Sequence, residues 1–211
     1  GKAVRGDFLE RARHVGEAAL SPPERLKVAV SLGTPKPILA KPDQTVLGAV
    51  ETMRGALAQS GHEVVDRELD WGLVGPRTVS RYLAGIREYG RAMPHPAKLG
   101  RLTRGYMQLG IGPSLVVDRL VGAAAADQRR LLDSFGDADV VMTPMFTRLP
   151  LPVGEAEGKP AAWVLNRDVN YVPYPAIFNH VDLPAIALPA GRTPADVPLA
   201  VQFVARPGRE D

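Results

Sequence analysis

The chain has 211 residues, 45% of them hydrophobic, with 26 Lys and Arg against 23 Asp and Glu, a net charge of +3 and no Cys. That composition holds enough apolar material for a core, which excludes wholesale disorder, and the missing Cys excludes disulfides, a thiolate nucleophile and thiolate metal sites. No run approaches the roughly 18 consecutive apolar residues of a membrane helix and the first residues lack an apolar signal core, so no membrane partner and a reducing cytoplasm are expected.

Taken in chain order, residues 7–20 put Phe8, Ala12, Val15 and Ala19 on one helical face, and Ser21-Pro22-Pro23 ends that helix. Residues 26–31 alternate and are β-branched, which reads as a strand. Asp43 is the N-cap of a helix to Ser60 with Val46, Val50, Met53 and Leu57 as its buried stripe, and Gly61 follows in a left-handed turn. Residues 62–66 form a second strand. Strand, helix, strand is the αβ unit of a layered α/β protein.

The middle reads as helical over residues 77–91, 98–109 and 114–135, with a break at Pro94-His95-Pro96 and with Gly136 after the last. Between Arg77 and Arg104, the cations Arg77, Arg81, Arg87, Arg91, Lys98, Arg101 and Arg104 face only Glu88. With no aromatic stacking pattern or nucleic-acid motif among them, they are expected to form a solvated helical face, and no nucleic-acid partner follows. Residues 138–143 are a strand stopped by Pro144, and residues 150–154 are a loop. Pro173 and Pro175 confine any helix there to residues 172–179. The runs 185–188 and 199–205 read as apolar throughout, fitting strands buried on both faces. Gly1 in place of an initiator Met, and the end of the chain soon after Ala205, suggest a chain cut at both ends.

Residue chemistry alone assembles no active site. His14, His62, His95 and His180 are scattered, without metal-ligand spacing, and no phosphate loop, dinucleotide fingerprint or nucleophile elbow is present. None of Ser21, Ser31, Ser60, Ser80, Ser114 and Ser134 sits in a Gly-rich turn that would present it. Cofactors and metals are therefore not expected.

An ordered series of short motifs is more informative. Phe8-Leu9-Glu10, Pro23-Glu24-Arg25-Leu26-Lys27-Val28-Ala29-Val30, Gly61-His62-Glu63-Val64-Val65 and Asp139-Val140-Val141-Met142-Thr143-Pro144 come first. Asn179 to Ala185, Leu188-Pro189-Ala190-Gly191 and the run from Pro198 to Gly208 follow. In this order they resemble the C-terminal half of amidase-signature hydrolases. Asp182, Ala200 and Pro175 depart from that family's usual Gly, Gly and Thr.

The resemblance implies an α/β fold, a mixed sheet flanked by helices, with residues 1–211 one partial amidase domain and no internal boundary. It implies hydrolysis of amides by a Ser nucleophile, a bridging Ser in a cis linkage and a Lys. These all lie upstream of the matched region. This chain has no Ser-Ser pair, and Lys2, Lys27, Lys36, Lys41, Lys98 and Lys159 match no catalytic position. The expected partners are thus a small amide substrate, a catalytic segment outside these residues, and a second copy paired through a free sheet edge. Val172 and Ala176, taken as one helical face, with Thr143 and Tyr174, are the substrate-binding candidates. His180 is expected to be structural. The alternatives are an amidase-like remnant or partner subunit without catalysis, and an unrelated α/β small-molecule binding module.

Overall fold

The computed structural model describes residue 20 and residues 25–209. All but the last residue of the helix expected over residues 7–20, and the first motif within it, lie outside the described residues. Five strands form one sheet in the order β2-β1-β3-β5-β4, with β1 Lys27–Val30, β2 Glu63–Asp66, β3 Val140–Pro144, β4 Ala185–Arg192 and β5 Pro198–Ala205. β2, β1 and β3 are parallel, whereas β3–β5 and β5–β4 are antiparallel. The sheet is mixed, as expected.

The parallel part follows from local signals. Helix α1, Gln44–Gln59, starts where the Asp43 carboxylate accepts from Val46 N, and ends before Gly61 at φ 87°. It covers one face of the sheet, packing Ala49 and Val50 toward Val28, Val30, Met142 and Val201. The other face takes α2, Val74–Ala92, α5, Val117–Phe135, and α7, Pro175–His180. Ala29, Val141 and Val204 meet Leu131, Phe135, Tyr174 and Phe178 there. β1 is therefore covered on both sides, and its alternation is one of side-chain size, not of inside and outside.

Three further helices, α3 Arg101–Leu109, α4 Ile111–Ser114 and α6 Ala161–Tyr171, join α2 in a smaller layer around Leu83, Tyr106 and Val164. Tyr106 Oη donates to Asp168 Oδ2 at 3.2 Å, tying α3 to α6. The helix expected over residues 114–135 starts three residues later, at Val117, after the separate short α4, and runs unbroken to Phe135. No residue of α5 before Asp127 is buried, so its N-terminal half has no core to follow.

The reading of two doubly covered strands needs correction. β4 is an outer strand, as β2 is at the other edge, and is exposed at all but Ala190. Ile186 is 59% and Leu188 37% exposed. β5 lies between β3 and β4 and buries Val201, Gln202 and Val204, so its run is not apolar throughout. No helix among the described residues is long and apolar enough to cross a membrane.

Candidate functional site

Two of the substrate-binding candidates, Tyr174 and Thr143, lie where β1 and β3 end and α7 begins. Tyr174 precedes α7, is fully buried, and donates from Oη to Leu32 O at 2.9 Å, just beyond β1. Burial raises its phenol, so it stays protonated. Tyr174 thus bolts the start of α7 to the sheet. Thr143, on β3, is also fully buried and stands opposite Gln202 of β5 in the antiparallel register.

Facing residues of an antiparallel pair project to the same side. That side is the α7 side, because Val141 and Val204, two positions back on each strand, belong to the core cluster of Phe178. Thr143 Oγ1 and Gln202 Oε1 are both buried without a hydrogen-bond partner among the described residues. Each such atom costs about 1–3 kcal/mol, so the pair is a polar spot in an apolar wall. Gln202 was concealed by the apolar residues around it in sequence.

The helical face proposed for Val172 and Ala176 does not exist as one face. Val172 is the C-cap of α6, at φ −120° and ψ 63°, and Ala176 lies in the first turn of α7. Pro173 and Pro175 separate them, each lacking the N–H a continuous helix needs. Ala176 is exposed and Val172 half-buried, so both remain reachable from outside the core, unlike Thr143 and Tyr174.

The far end of α7 is held by hydrogen-bond donors from α2 and α5. Asp127 of α5, 2% exposed, accepts from Arg77 Nη1 at 2.5 Å. His180 Nε2 is 3.9 Å from the other Asp127 oxygen. Arg81 Nη1 donates to His180 O at 3.1 Å, and Gln128 Nε2 donates to Val181 O at 2.7 Å. Cationic donors at a helix C-terminus meet its free carbonyls and complement its dipole. Asp182 follows at φ 56°, a left-handed turn that Asp adopts more readily than most residues. The chain then enters β4. His180 is buried with its carbonyl held by Arg81, and Asp127, invisible in an Ala-rich helix, is the anionic partner of Arg77.

Burial lowers the His180 pKa first, with Arg81 and Arg77 adding to it and Asp127 opposing. The folded state therefore holds a proton on this ring less tightly than the unfolded chain. Below the ordinary value of 6.5 the unfolded chain gains a proton that the folded chain does not. Stability is full above that pH and falls as the pH drops toward the lowered folded value. Urea unfolding at pH 7.5 and 5.5 is expected to show this loss, and His180→Gln to show a smaller one.

The basic stretch is not merely solvated. Besides Arg77 and Arg81, Arg87 donates to Met107 O, Arg101 to Gly158 O and Lys159 O, and Arg104 to Ala97 O. These arginines fasten helices and loops to one another.

The described residues offer no nucleophile–base pair. Ser31 Oγ, fully buried, accepts from Leu69 N at 3.3 Å, while Ser114 and Ser134 donate to carbonyls one turn back. No group of His, Asp and Glu among the described residues could hold a metal ion.

The Amidase family model matches residues 107–211. The putative amidase AmiB2 of Mycobacterium bovis (strain ATCC BAA-935 / AF2122/97) is 31% identical over 195 residues, covering 90% of this chain and 42% of the relative. The putative amidase AmiA2 of the same organism is 30% identical over 186 residues, covering 86% and 38%. Among solved structures, 6-aminohexanoate cyclic dimer hydrolase is similar with a TM-score of 0.70 at 20% identity, covering 90% of this chain and 43% of that one. A bacterial aryl acylamidase of the amidase signature family gives 0.65 at 10% identity, covering 93% and 42%. The structural likeness shows the fold: the mixed sheet and its helices match the C-terminal part of amidase-signature α/β enzymes. The chain spans less than half the length of the curated relatives it matches.

Proposed function

We propose that this chain, which belongs to the amidase family, works in hydrolysis of carboxylic amides to acid and ammonia or amine, providing sheet core and substrate-pocket wall to a Ser–Ser–Lys segment absent from its residues. The observation that carries this reading is the family match over residues 107–211 combined with the lack of any Ser-Ser pair in the sequence. In such a reaction the Ser oxygen attacks the amide carbon, the amine leaves with a proton, and water releases the acid. None of these steps uses a group of this chain.

The wall would be built from both kinds of candidate. Ala176 and Val172, reachable from outside, would touch the acyl part of the substrate. Tyr174 and Thr143 would set the depth of the wall from beneath, through the hydroxyl bond to Leu32 and the polar spot beside Gln202. Arg81 and Gln128, which donate to His180 O and Val181 O, hold the other end of α7, so the wall would be fixed at two points. A soluble setting in a reducing cytoplasm fits the Cys-free sequence.

The exposed β4 edge is where further strands would add, whether they belong to the same polypeptide, a partner subunit or a second copy. An outer strand with exposed Ile186 and Leu188 is a template for pairing. Sedimentation of the 211-residue chain is expected to show self-association that Ile186→Lys abolishes. Because Ile186 faces solvent, that substitution should change stability by no more than about 0.5 kcal/mol. Monomeric wild-type protein would remove the edge from this account.

A further inference from the structure

A cleft away from the α7 wall carries an inference that does not depend on the amidase reading. It lies between α3 and the loop leading into α6, and has a volume of about 620 Å³. Arg101, Arg104 and Lys159 line it, and no carboxylate does. Clustering like charges is unfavourable unless an anion offsets them. Two of the cations are also held in place: Arg101 donates to Gly158 O and Lys159 O, and Arg104 Nη1 donates to Ala97 O at 2.8 Å. Lys159 Nζ sits 5.4 Å from the Trp163 ring centroid, a cation–π contact, and donates no hydrogen bond among the described residues.

The rest of the lining is largely apolar. Leu102, Pro160 and Ala161 contribute to it, and Gly105 lets α3 approach α6 closely, since a Cβ there would stand 2.5 Å from Ala161 Cβ. A hydrated inorganic ion gains nothing from such a floor, whereas an alkyl or aryl chain does. Immobilised guanidinium groups favour a planar carboxylate, which accepts charge-assisted hydrogen bonds.

We propose that the α3–α6 cleft binds an organic carboxylate, its headgroup among Arg101, Arg104 and Lys159 and its apolar tail against Leu102 and Pro160. This is a binding site for a free acid, with no chemistry performed on it.

Trp163 supplies the readout, because Trp71 is buried in the main core. Sodium octanoate is titrated into the full chain at constant ionic strength, with sodium acetate and sodium chloride as matched arms. Octanoate is expected to change Trp163 emission saturably, with acetate at least ten times weaker and chloride without effect. Trp163→Phe should abolish the signal. Arg104→Gln combined with Lys159→Gln should weaken binding at least tenfold, while Arg192→Gln, at the β4–β5 turn, should leave it unchanged. If the double variant loses its fold, Lys159→Gln alone decides, since among the described residues that side chain has only the Trp163 cation–π contact; it should weaken binding severalfold. Equal responses to octanoate, acetate and chloride, no saturable response, or undiminished binding by Lys159→Gln would each overturn the proposal.

Discussion

Phe178→Ala is expected to lower the unfolding free energy by about 3–5 kcal/mol. Phe178 is fully buried at the centre of the larger core cluster, with its ring centroid 6.0 Å from that of Trp71. Its carbonyl also accepts from Leu183 N at 3.0 Å, in the turn that leads to β4. Truncation would remove the ring where α7, β3 and β5 meet. Both ends of α7 are held by other bonds, so the helix has little freedom to collapse into the space. Phe178→Leu keeps much of the volume and should cost less than about 1.5 kcal/mol. Urea unfolding of the two variants measures both values. A loss below about 1 kcal/mol for Phe178→Ala would mean that α7 is not seated as described.

Gly110→Ala is the second substitution with a large expected effect, and here two principles predict opposite signs. Gly110 sits at the junction of α3 and α4 at φ −75°, a helical conformation in which Ala is favoured by about 1 kcal/mol. Against this, a Cβ would stand 2.3 Å from Leu83 O and 3.0 Å from Leu83 C, both backbone atoms of α2. Backbone does not yield as the end of a side chain does, so α2 and α4 would have to separate. Contact should prevail, with a net loss of about 1–3 kcal/mol. Gly112, in α4, meets nothing within 4 Å of an added Cβ. Gly112→Ala should therefore be neutral or slightly stabilising. Thermal unfolding of the pair separates packing from propensity.

How far the fold could be read from residues depended on whether local chemistry or tertiary contact decided each element. The β1–α1–β2 unit was legible because Asp43 and Gly61 mark both ends of the helix by local means. Helix α6 was not. Its inward stripe of Ala161, Val164 and Leu165 continues to Asp168, whose charge breaks the apolar pattern while its carboxylate serves Tyr106 of α3. The start of α5 at Val117 was not legible either, since Leu115 and Val116 continue the apolar pattern in sequence although they are 81% and 39% exposed. β4 and β5 look alike in sequence, and only their places in the sheet make one exposed and the other central.

The site was legible in part. The motif run from Asn179 to Ala185 pointed to the region where α7 passes into β4. Tyr174 and Thr143 proved buried, Ala176 exposed, and Val172 outside the helix it was assigned to. Asp127 and Gln202 gave no signal, because a lone polar residue in an apolar stretch reads the same whether it is solvated or buried. Their burial follows from how α5 and β5 are placed across the chain.

The role proposed for this chain is the wall of an amidase whose reactive groups come from elsewhere. Ammonia release from octanamide and benzamide, compared between the 211-residue chain and the same chain expressed with its in-frame upstream coding sequence, tests it most directly. The account predicts no release above the uncatalysed rate by the chain alone. It predicts turnover by the longer protein, lost when the first Ser of its Ser–Ser pair is changed to Ala. Robust turnover by the 211-residue chain alone, or none by a folded longer protein carrying the Ser–Ser pair and its Lys, would contradict it.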